Sequence, residues 1–161
     1  MWRGLKNLIS RLQRRLRGDR NQEIVELLGR LYADKMKDAR QFRLHSEQMR
    51  YHHFRAKLER IADEEEKHAQ WLKDRIVALG GEVPPVTAEP EDARNTWEDL
   101  RLDLLEEKHH HWDLIDQLPI IERFDTATGE ILRRIFAEES DHRTLITDML
   151  MRSDPIAEWP I

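Results

Sequence analysis

The sequence predicts an all-α protein: an antiparallel four-helix bundle with one long crossover connection, preceded by an amphipathic helix. Glu, Arg and Leu are abundant, glycine and proline number only 6 each, and apolar residues recur at the spacing of one helix face. The length of 161 residues suits a single domain. The absence of cysteine excludes a disulfide scaffold, thiolate-bound zinc or iron–sulfur sites, and a cysteine nucleophile.

The first 20 residues form a basic segment in front of an acidic body. They hold seven bases and one acid, which gives this segment a charge of +6. Because the net charge of the chain is −5, the other 141 residues carry −11. Apolar residues at helical spacing accompany these bases: Trp2, Leu5, Leu8, Ile9, Leu12 and Leu16. We expect residues 1–18 to contact the bundle, another subunit or an anionic membrane surface. No motif indicates nucleic-acid binding.

After residue 20 the apolar pattern predicts four long helices. Helix A is predicted over about 21–50 and helix B over about 54–79, where Gly80 and Gly81 are typical of a helix C-terminus. Three prolines between residues 81 and 90 exclude a regular helix there. Helix C is predicted over about 91–118 and helix D over about 128–153. The bundle thus covers residues 21–153, and residues 154–161 are predicted to form an extended tail.

The connections between these helices predict the topology. Helices A and B are separated by only a few residues, which favours antiparallel neighbours. About ten to twelve non-helical residues separate helices B and C, and at about 3.3 Å each they reach nearly 40 Å. A helix of about 25 residues has a similar length. The connection is therefore long enough to cross the bundle and make helices B and C parallel.

The same acid–acid–histidine pattern occurs on helices B and D. Helix B contains Ile61-x-x-Glu64-Glu65-x-x-His68, and helix D contains Ile135-x-x-Glu138-Glu139-x-x-His142. A Glu and a His three positions apart share one helix face, so that both reach a common metal ion. Glu65 and Glu139 lie within the apolar stripes, where a carboxylate requires a cation. Two inward Glu-x-x-His pairs are typical of di-iron and di-manganese carboxylate bundles.

Helix B, running into Gly80-Gly81-x-x-Pro84, resembles helix B of rubrerythrin and bacterioferritin, members of the ferritin-like superfamily. The resemblance covers roughly residues 21–152. It implies two iron ions, or alternatively manganese ions, bridged by Glu65 and Glu139, with His68 and His142 as terminal ligands. It also implies one terminal carboxylate from each of helices A and C. On helix C the best candidate is Glu107, which lies on the apolar stripe 32 residues before Glu139.

Helix A departs from the family pattern. The position expected for its carboxylate is Tyr32, and the neighbouring inward position is Lys35. The best available carboxylate is Asp38, with Asp34 one turn earlier. Three interpretations stay open: an altered site, a single-metal site, or a site in which the Lys35 ammonium takes one metal position. In the run of three histidines on helix C, only His111 is predicted to face inward.

The resemblance implies a di-metal oxidoreductase that reacts with dioxygen or hydrogen peroxide, or that oxidises and binds Fe(II). No catalytic residue is predicted apart from the metal ligands. A protein would donate electrons unless the metal is itself the substrate, and we expect a homo-oligomer. No signal peptide or membrane span is indicated, so we expect a cytoplasmic protein, alternatively one peripheral to the membrane. Two alternatives are a membrane-associated di-iron hydroxylase and a non-catalytic helical interaction module with an altered site.

Overall fold

The protein is a bundle of α-helices. The computed structural model describes the backbone of residues 2–93, 95–115 and 117–154, and the side chains of residues 18–93, 95–111, 114–115 and 117–154. Its helices are α1 (Trp2–Gln48), α2 (His52–Ala78), α3 (Thr96–Ile115), α4 (Leu118–Phe124) and α5 (Thr126–Arg152). Within these ranges there is no strand. Helices α1, α2, α3 and α5 are the four predicted long helices, so the predicted fold class is confirmed, whereas the short α4 was not predicted.

Helix α1 is continuous over 47 residues. The sequence predicted a joint near residues 18–21, but the helix passes through Gly18, which is exposed. One glycine costs a helix only about 1 kcal/mol relative to alanine, which is too little to end it. The apolar stripe predicted within residues 2–16 falls on side chains outside the described residues. The predicted tail also lies outside them, apart from Asp154.

Helices α1 and α2 form a hairpin joined by residues 49–51. Helix α2 ends at Ala78, and Gly80 follows it with a φ of +78°, the left-handed conformation that glycine adopts without strain. The Gly81 N–H donates to the Ile76 carbonyl and the Gly80 N–H to the Val77 carbonyl, both at 2.9 Å. A Cβ at Gly81 would collide with Val25, so the end of α2 is packed directly against the first half of α1.

The crossover after α2 runs along the length of α1. Pro84 lies against Gly29, further on the Glu91 N–H donates to the Gln41 side chain at 3.0 Å, and Asp92 accepts a bond of 3.3 Å from Gln48. These contacts advance from the middle of α1 to its C-terminal end. Helix α3 therefore starts at the end of the bundle where α2 starts, and the two are parallel, as predicted.

Side-chain caps set the ends of the second helix pair. Helix α3 starts five residues later than predicted, because residues 91–93 belong to the crossover and Asn95 accepts the Glu98 N–H at 2.9 Å. Asp125 precedes α5 and accepts two bonds from Arg75 at 2.8 and 2.6 Å.

Helix α4 packs on α5 at Gly129, where a Cβ would collide with Glu122. Ile115, the last residue of α3, is 38% exposed.

Two apolar clusters fill the core. Between them lies a layer of buried polar side chains that includes Lys35, Glu65, Glu107 and Glu139, which we call the polar layer. The first contains Ile24, Leu27, Leu28, Leu31, Leu72, Ile76, Leu114, Ile121, Leu132 and Ile135. The second contains Phe42, Met49, Phe54, Leu58, Ile61, Ala62, Leu100, Leu104, Ile146 and Met149. On each of the four long helices the layer falls between these two sets. Among the described residues, no helix combines the length and hydropathy of a membrane span.

Candidate metal centre

Seven buried polar side chains form the layer between the apolar clusters. They are Lys35, Asp38, Glu65, His68, Glu107, Glu139 and His142, and each is at most 4% exposed. All six residues predicted as metal ligands are in this set. The seventh is a lysine, which is the residue type expected least often in a bundle core. The layer therefore combines four carboxyl groups, two imidazoles and one amine in the middle of the molecule.

The Lys35 ammonium lies among three carboxylates. Its Nζ is 2.6 Å from Glu139 Oε1, 3.1 Å from Glu65 Oε2 and 3.5 Å from Asp38 Oδ2. Burial alone would lower the pKa of Lys35, but Glu139 and Glu65 raise that pKa well above its ordinary value. Burial alone would likewise raise the pKa of Glu65, and Lys35 is the main cause that lowers it. Lys35 is therefore a charged residue inside the core.

The other oxygen of Glu65 faces away from Lys35, toward α3 and α5. Glu65 Oε1 is 3.0 Å from His142 Nδ1, and Glu107 Oε1 is 3.7 Å from the same nitrogen. Burial raises the pKa of Glu107 to about 7. Burial alone would lower the pKa of His142, but Glu107 and Glu65 raise it to about 10. Donor atoms of these three residues lie within 4.8 Å of one another.

The donor atoms of Glu65, Glu107 and His142 fit a metal ion. Both Glu107 oxygens are buried without a hydrogen-bond partner, and the buried Glu65 Oε1 and His142 Nδ1 face each other as an ion pair at 3.0 Å that lacks hydrogen-bond geometry. Unpartnered buried carboxylate oxygens are costly, and a divalent cation is the partner that satisfies several of them at once. Two ligands about 2.1 Å from one ion are roughly 3 to 3.7 Å apart. The distances from His142 Nδ1 to Glu65 Oε1 and to Glu107 Oε1, 3.0 and 3.7 Å, lie in this range. Carboxylates with imidazole suit iron or manganese.

The first glutamate of each repeated motif orients the histidine of the other motif. Glu64 on α2 lies 2.7 Å from His142 Nε2, and Glu138 on α5 lies 2.9 Å from His68 Nε2. Each ring therefore turns its Nδ1 toward the layer. A carboxylate on the outer nitrogen is the usual support of a metal-binding histidine. This role was not predicted from the sequence, although the two Glu-Glu doublets indicate it.

The predicted inward position of Asp38 agrees with the structure, whereas the predicted orientation of the α3 histidines does not. Asp38 is the α1 carboxylate that contacts the layer, and its Oδ2 is also 3.3 Å from His110 Nδ1. The prediction that only His111 faces inward was wrong, because His110 is the histidine that contacts Asp38, whereas the His111 ring stacks on Phe136 with ring centroids 4.1 Å apart. His110 follows Glu107 by three positions and therefore shares its inward face.

A second buried polar cluster joins α1, α3 and the crossover. His45 Nδ1 is 2.9 Å from Asp103 Oδ1, and His45 Nε2 is 2.9 Å from the Glu91 carbonyl oxygen. Burial alone would lower the pKa of His45, but Asp103 raises it to about 9. Donor atoms of His45, Asp92 and Asp99 also lie within 4.8 Å of one another. Because both ring nitrogens of His45 are already engaged, we interpret this cluster as an anchor for the crossover.

Comparisons with known proteins agree with this architecture. A family model described as a ferritin-like domain matches residues 30–153. The bacterioferritin of Desulfovibrio desulfuricans, whose structure is described with its diiron site in different catalytic states, is similar in fold. The TM-score is 0.77 and the identity 24%, over 84% of this chain and 82% of that chain. No curated protein sequence matches the chain significantly.

Proposed function

Because the chain belongs to the ferritin-like domain family, we propose that it binds iron, or alternatively manganese, in its polar layer and is a redox protein. The observation that carries this proposal is the group of buried donor atoms without hydrogen-bond partners on Glu65, Glu107 and His142. Among the described side chains these atoms contact one another, since His142 Nδ1 lies 3.0 Å from Glu65 Oε1 and 3.7 Å from Glu107 Oε1. A resident cation is the simplest explanation for placing them in a closed core.

The residues of the chain would divide the work as follows. Glu65, Glu107 and His142 would hold the ion, and Glu139, His68 and Asp38 complete the predicted ligand set. Bound iron would supply one-electron chemistry toward dioxygen or hydrogen peroxide. Glu64 would accept the Nε2–H of His142 and so keep its Nδ1 available as a ligand, with release of a proton on binding. The apolar clusters on both sides would restrict water.

The reactants and partners of this proposal come from the resemblance of the sequence to the family. They are dioxygen or hydrogen peroxide, with electrons from another protein, or Fe(II) as the substrate of oxidation. We also propose a homo-oligomer in the cytoplasm. The basic residues 1–18 would contact another subunit or an anionic membrane surface, and the second of these would suit a membrane-associated hydroxylase.

A non-catalytic helical module is the second candidate, and the contacts of Lys35 favour it. The ammonium neutralises part of the layer without any metal, through Glu139, Glu65 and Asp38. In this case the buried carboxyl groups would serve the packing and specificity of the bundle. The two candidates differ in whether the native chain takes up a metal ion at all.

The test is anaerobic loading with Fe(II), removal of unbound iron, elemental analysis, and then exposure to dioxygen or hydrogen peroxide. We expect tightly bound iron and its rapid oxidation. Glu107→Gln should lose most of the bound iron, because it removes the carboxylate but keeps the size of the side chain. Glu106→Gln is the matched control, since Glu106 pairs with Lys37 outside the layer and should retain binding.

Two results would contradict the proposal. A native chain that binds no iron would leave the non-catalytic module as the function. Equal iron uptake by the native chain and Glu107→Gln would mean that the iron lies elsewhere.

A further inference from the structure

The carboxylate of Glu65 faces two different cation positions. On one side its Oε1 is 3.0 Å from His142 Nδ1, next to Glu107, and we call this the His142 side. On the other side its Oε2 is 3.1 Å from Lys35 Nζ and 3.4 Å from His68 Nδ1, and we call this the Lys35 side. The two oxygens of a carboxylate that bridges two metal ions divide in the same way. Here one of the two positions contains an ammonium group.

The Lys35 ammonium is surrounded by the ligands expected of a metal ion. Glu139, Glu65 and Asp38 lie 2.6, 3.1 and 3.5 Å from Nζ. They come from three different helices, and Glu65 and Glu139 are the carboxylates predicted to bridge. Lys35 is only 1% exposed, so its ammonium reaches water only if the surrounding helices repack. A second divalent ion would have to displace a buried charge from its counterions, which is costly.

The charges of the layer close with one metal ion. Three glutamates, Glu65, Glu107 and Glu139, are at most 2% exposed, and together they supply three negative charges when ionised. Lys35 and one divalent cation balance them once His142 has released its proton to bind the ion. Asp38, at the edge of the layer, has its own neighbour in His110 at 3.3 Å. Two divalent ions in addition to Lys35 would instead leave an excess of buried positive charge beside that lysine, which is unfavourable at low dielectric.

We propose that Lys35 permanently takes the place of one metal ion, so that the chain holds a single metal ion on the His142 side of Glu65. This inference rests on the proposed function, since it assumes that a metal binds. Such a site would differ from a two-metal centre in three respects. It would hold one ion instead of two, fewer carboxylates would bind metal, and a fixed ammonium group would lie next to the ion. The structure assigns Lys35 as a positioning residue for Glu65 and Glu139.

The experiment measures anaerobic Mn(II) binding by elemental analysis and by electron paramagnetic resonance. The resonance distinguishes an isolated Mn(II) ion from an exchange-coupled pair and requires no catalytic activity. We expect the native chain to bind about one Mn(II) with the spectrum of an isolated ion. Lys35→Glu, which replaces the ammonium with a carboxylate, should bind about two with a coupled spectrum. Lys35→Ala leaves Glu65, Glu139, Asp38 and His68 for a second ion, and should also gain metal.

Lys37→Ala is the matched control. Lys37 lies on the same helix and pairs with Glu91 and Glu106 outside the layer, so its loss should leave the number of bound ions unchanged. Should Lys35→Glu fail to fold, Lys35→Ala and the spectrum of the native chain still decide the question.

The possible outcomes separate the inference from the proposed function. Two coupled ions in the native chain would overturn the inference and leave the proposed function standing. A native chain with one ion and no gain in either Lys35 variant would also overturn the inference, because the ammonium would then occupy no metal position. A native chain without metal would end both proposals, even if Lys35→Glu gained metal.

Discussion

Glu64 and Glu65 are neighbours in sequence with different tasks. Glu65 points into the polar layer and contacts both Lys35 and His142, at 3.1 and 3.0 Å. Glu64 is one residue earlier on the helix, about 100° away, and reaches the outer nitrogen of His142 at 2.7 Å. The same division holds for Glu138 and Glu139 on α5. Each histidine is therefore fixed between an inner and an outer carboxylate.

The outer carboxylates provide a prediction at the scale of single residues. Glu64→Gln removes the charge behind His142, the histidine on the proposed metal side, and we expect Mn(II) affinity to fall about 10- to 100-fold. Glu138→Gln does the same to His68, which is on the Lys35 side, and affinity should change only slightly. Anaerobic titration in competition with a chelator measures both. Equal losses in the two variants would contradict a single ion on the His142 side.

At the scale of elements, the hydrophobic periodicity was sufficient to place the four long helices, and the two motifs identified their inward faces. The sequence did not reveal that α1 continues through Gly18, because the small penalty of one glycine is weighed against the continuity of the whole helix. The start of α3 was also missed. It depends on contacts of Glu91 and Asp92 with Gln41, Gln48 and His45 of α1, and such long-range contacts leave no local signal.

His45 attaches the crossover to α1, and its titration provides a prediction at this scale. Its pKa of about 9 exceeds the ordinary value of 6.5. The stabilisation is therefore fully present below about pH 6.5 and is lost as the pH rises through about 9. We expect the native chain to lose roughly 3 kcal/mol of its stability advantage over His45→Gln across this range. Urea unfolding at several pH values measures this difference.

His53→Gln is the control for this experiment, because His53 is exposed on α2. Its stability relative to the native chain should stay constant with pH. An advantage over His45→Gln that persists unchanged above about pH 9 would show that the contact does not depend on the charge of His45.

On the scale of the whole molecule, the bundle combines two apolar clusters with one polar layer that separates them. The sequence predicted the six carboxylates and histidines of this layer because the Glu-x-x-His pattern and the apolar stripes coincide. It left the role of Lys35 open between several interpretations. The choice among them depends on the depth at which α1 lies against α2 and α5, and that depth is set by packing along the entire bundle.

This arrangement predicts that the metal adds to stability without being needed for folding. The metal-free chain should keep its helical circular dichroism, because the apolar clusters are formed without the layer. Mn(II) at about 100 times its dissociation constant should add about 2.7 kcal/mol, and thus raise the melting temperature by roughly 5 to 10 °C. Glu107→Gln, which binds the ion poorly, should show little of this increase at the same Mn(II) concentration. Loss of helicity on metal removal would mean that the ion holds the bundle together. An equal increase in the melting temperature of both proteins would mean that Mn(II) binds outside the layer, because an ion bound by Glu107 stabilises the native chain more than the variant.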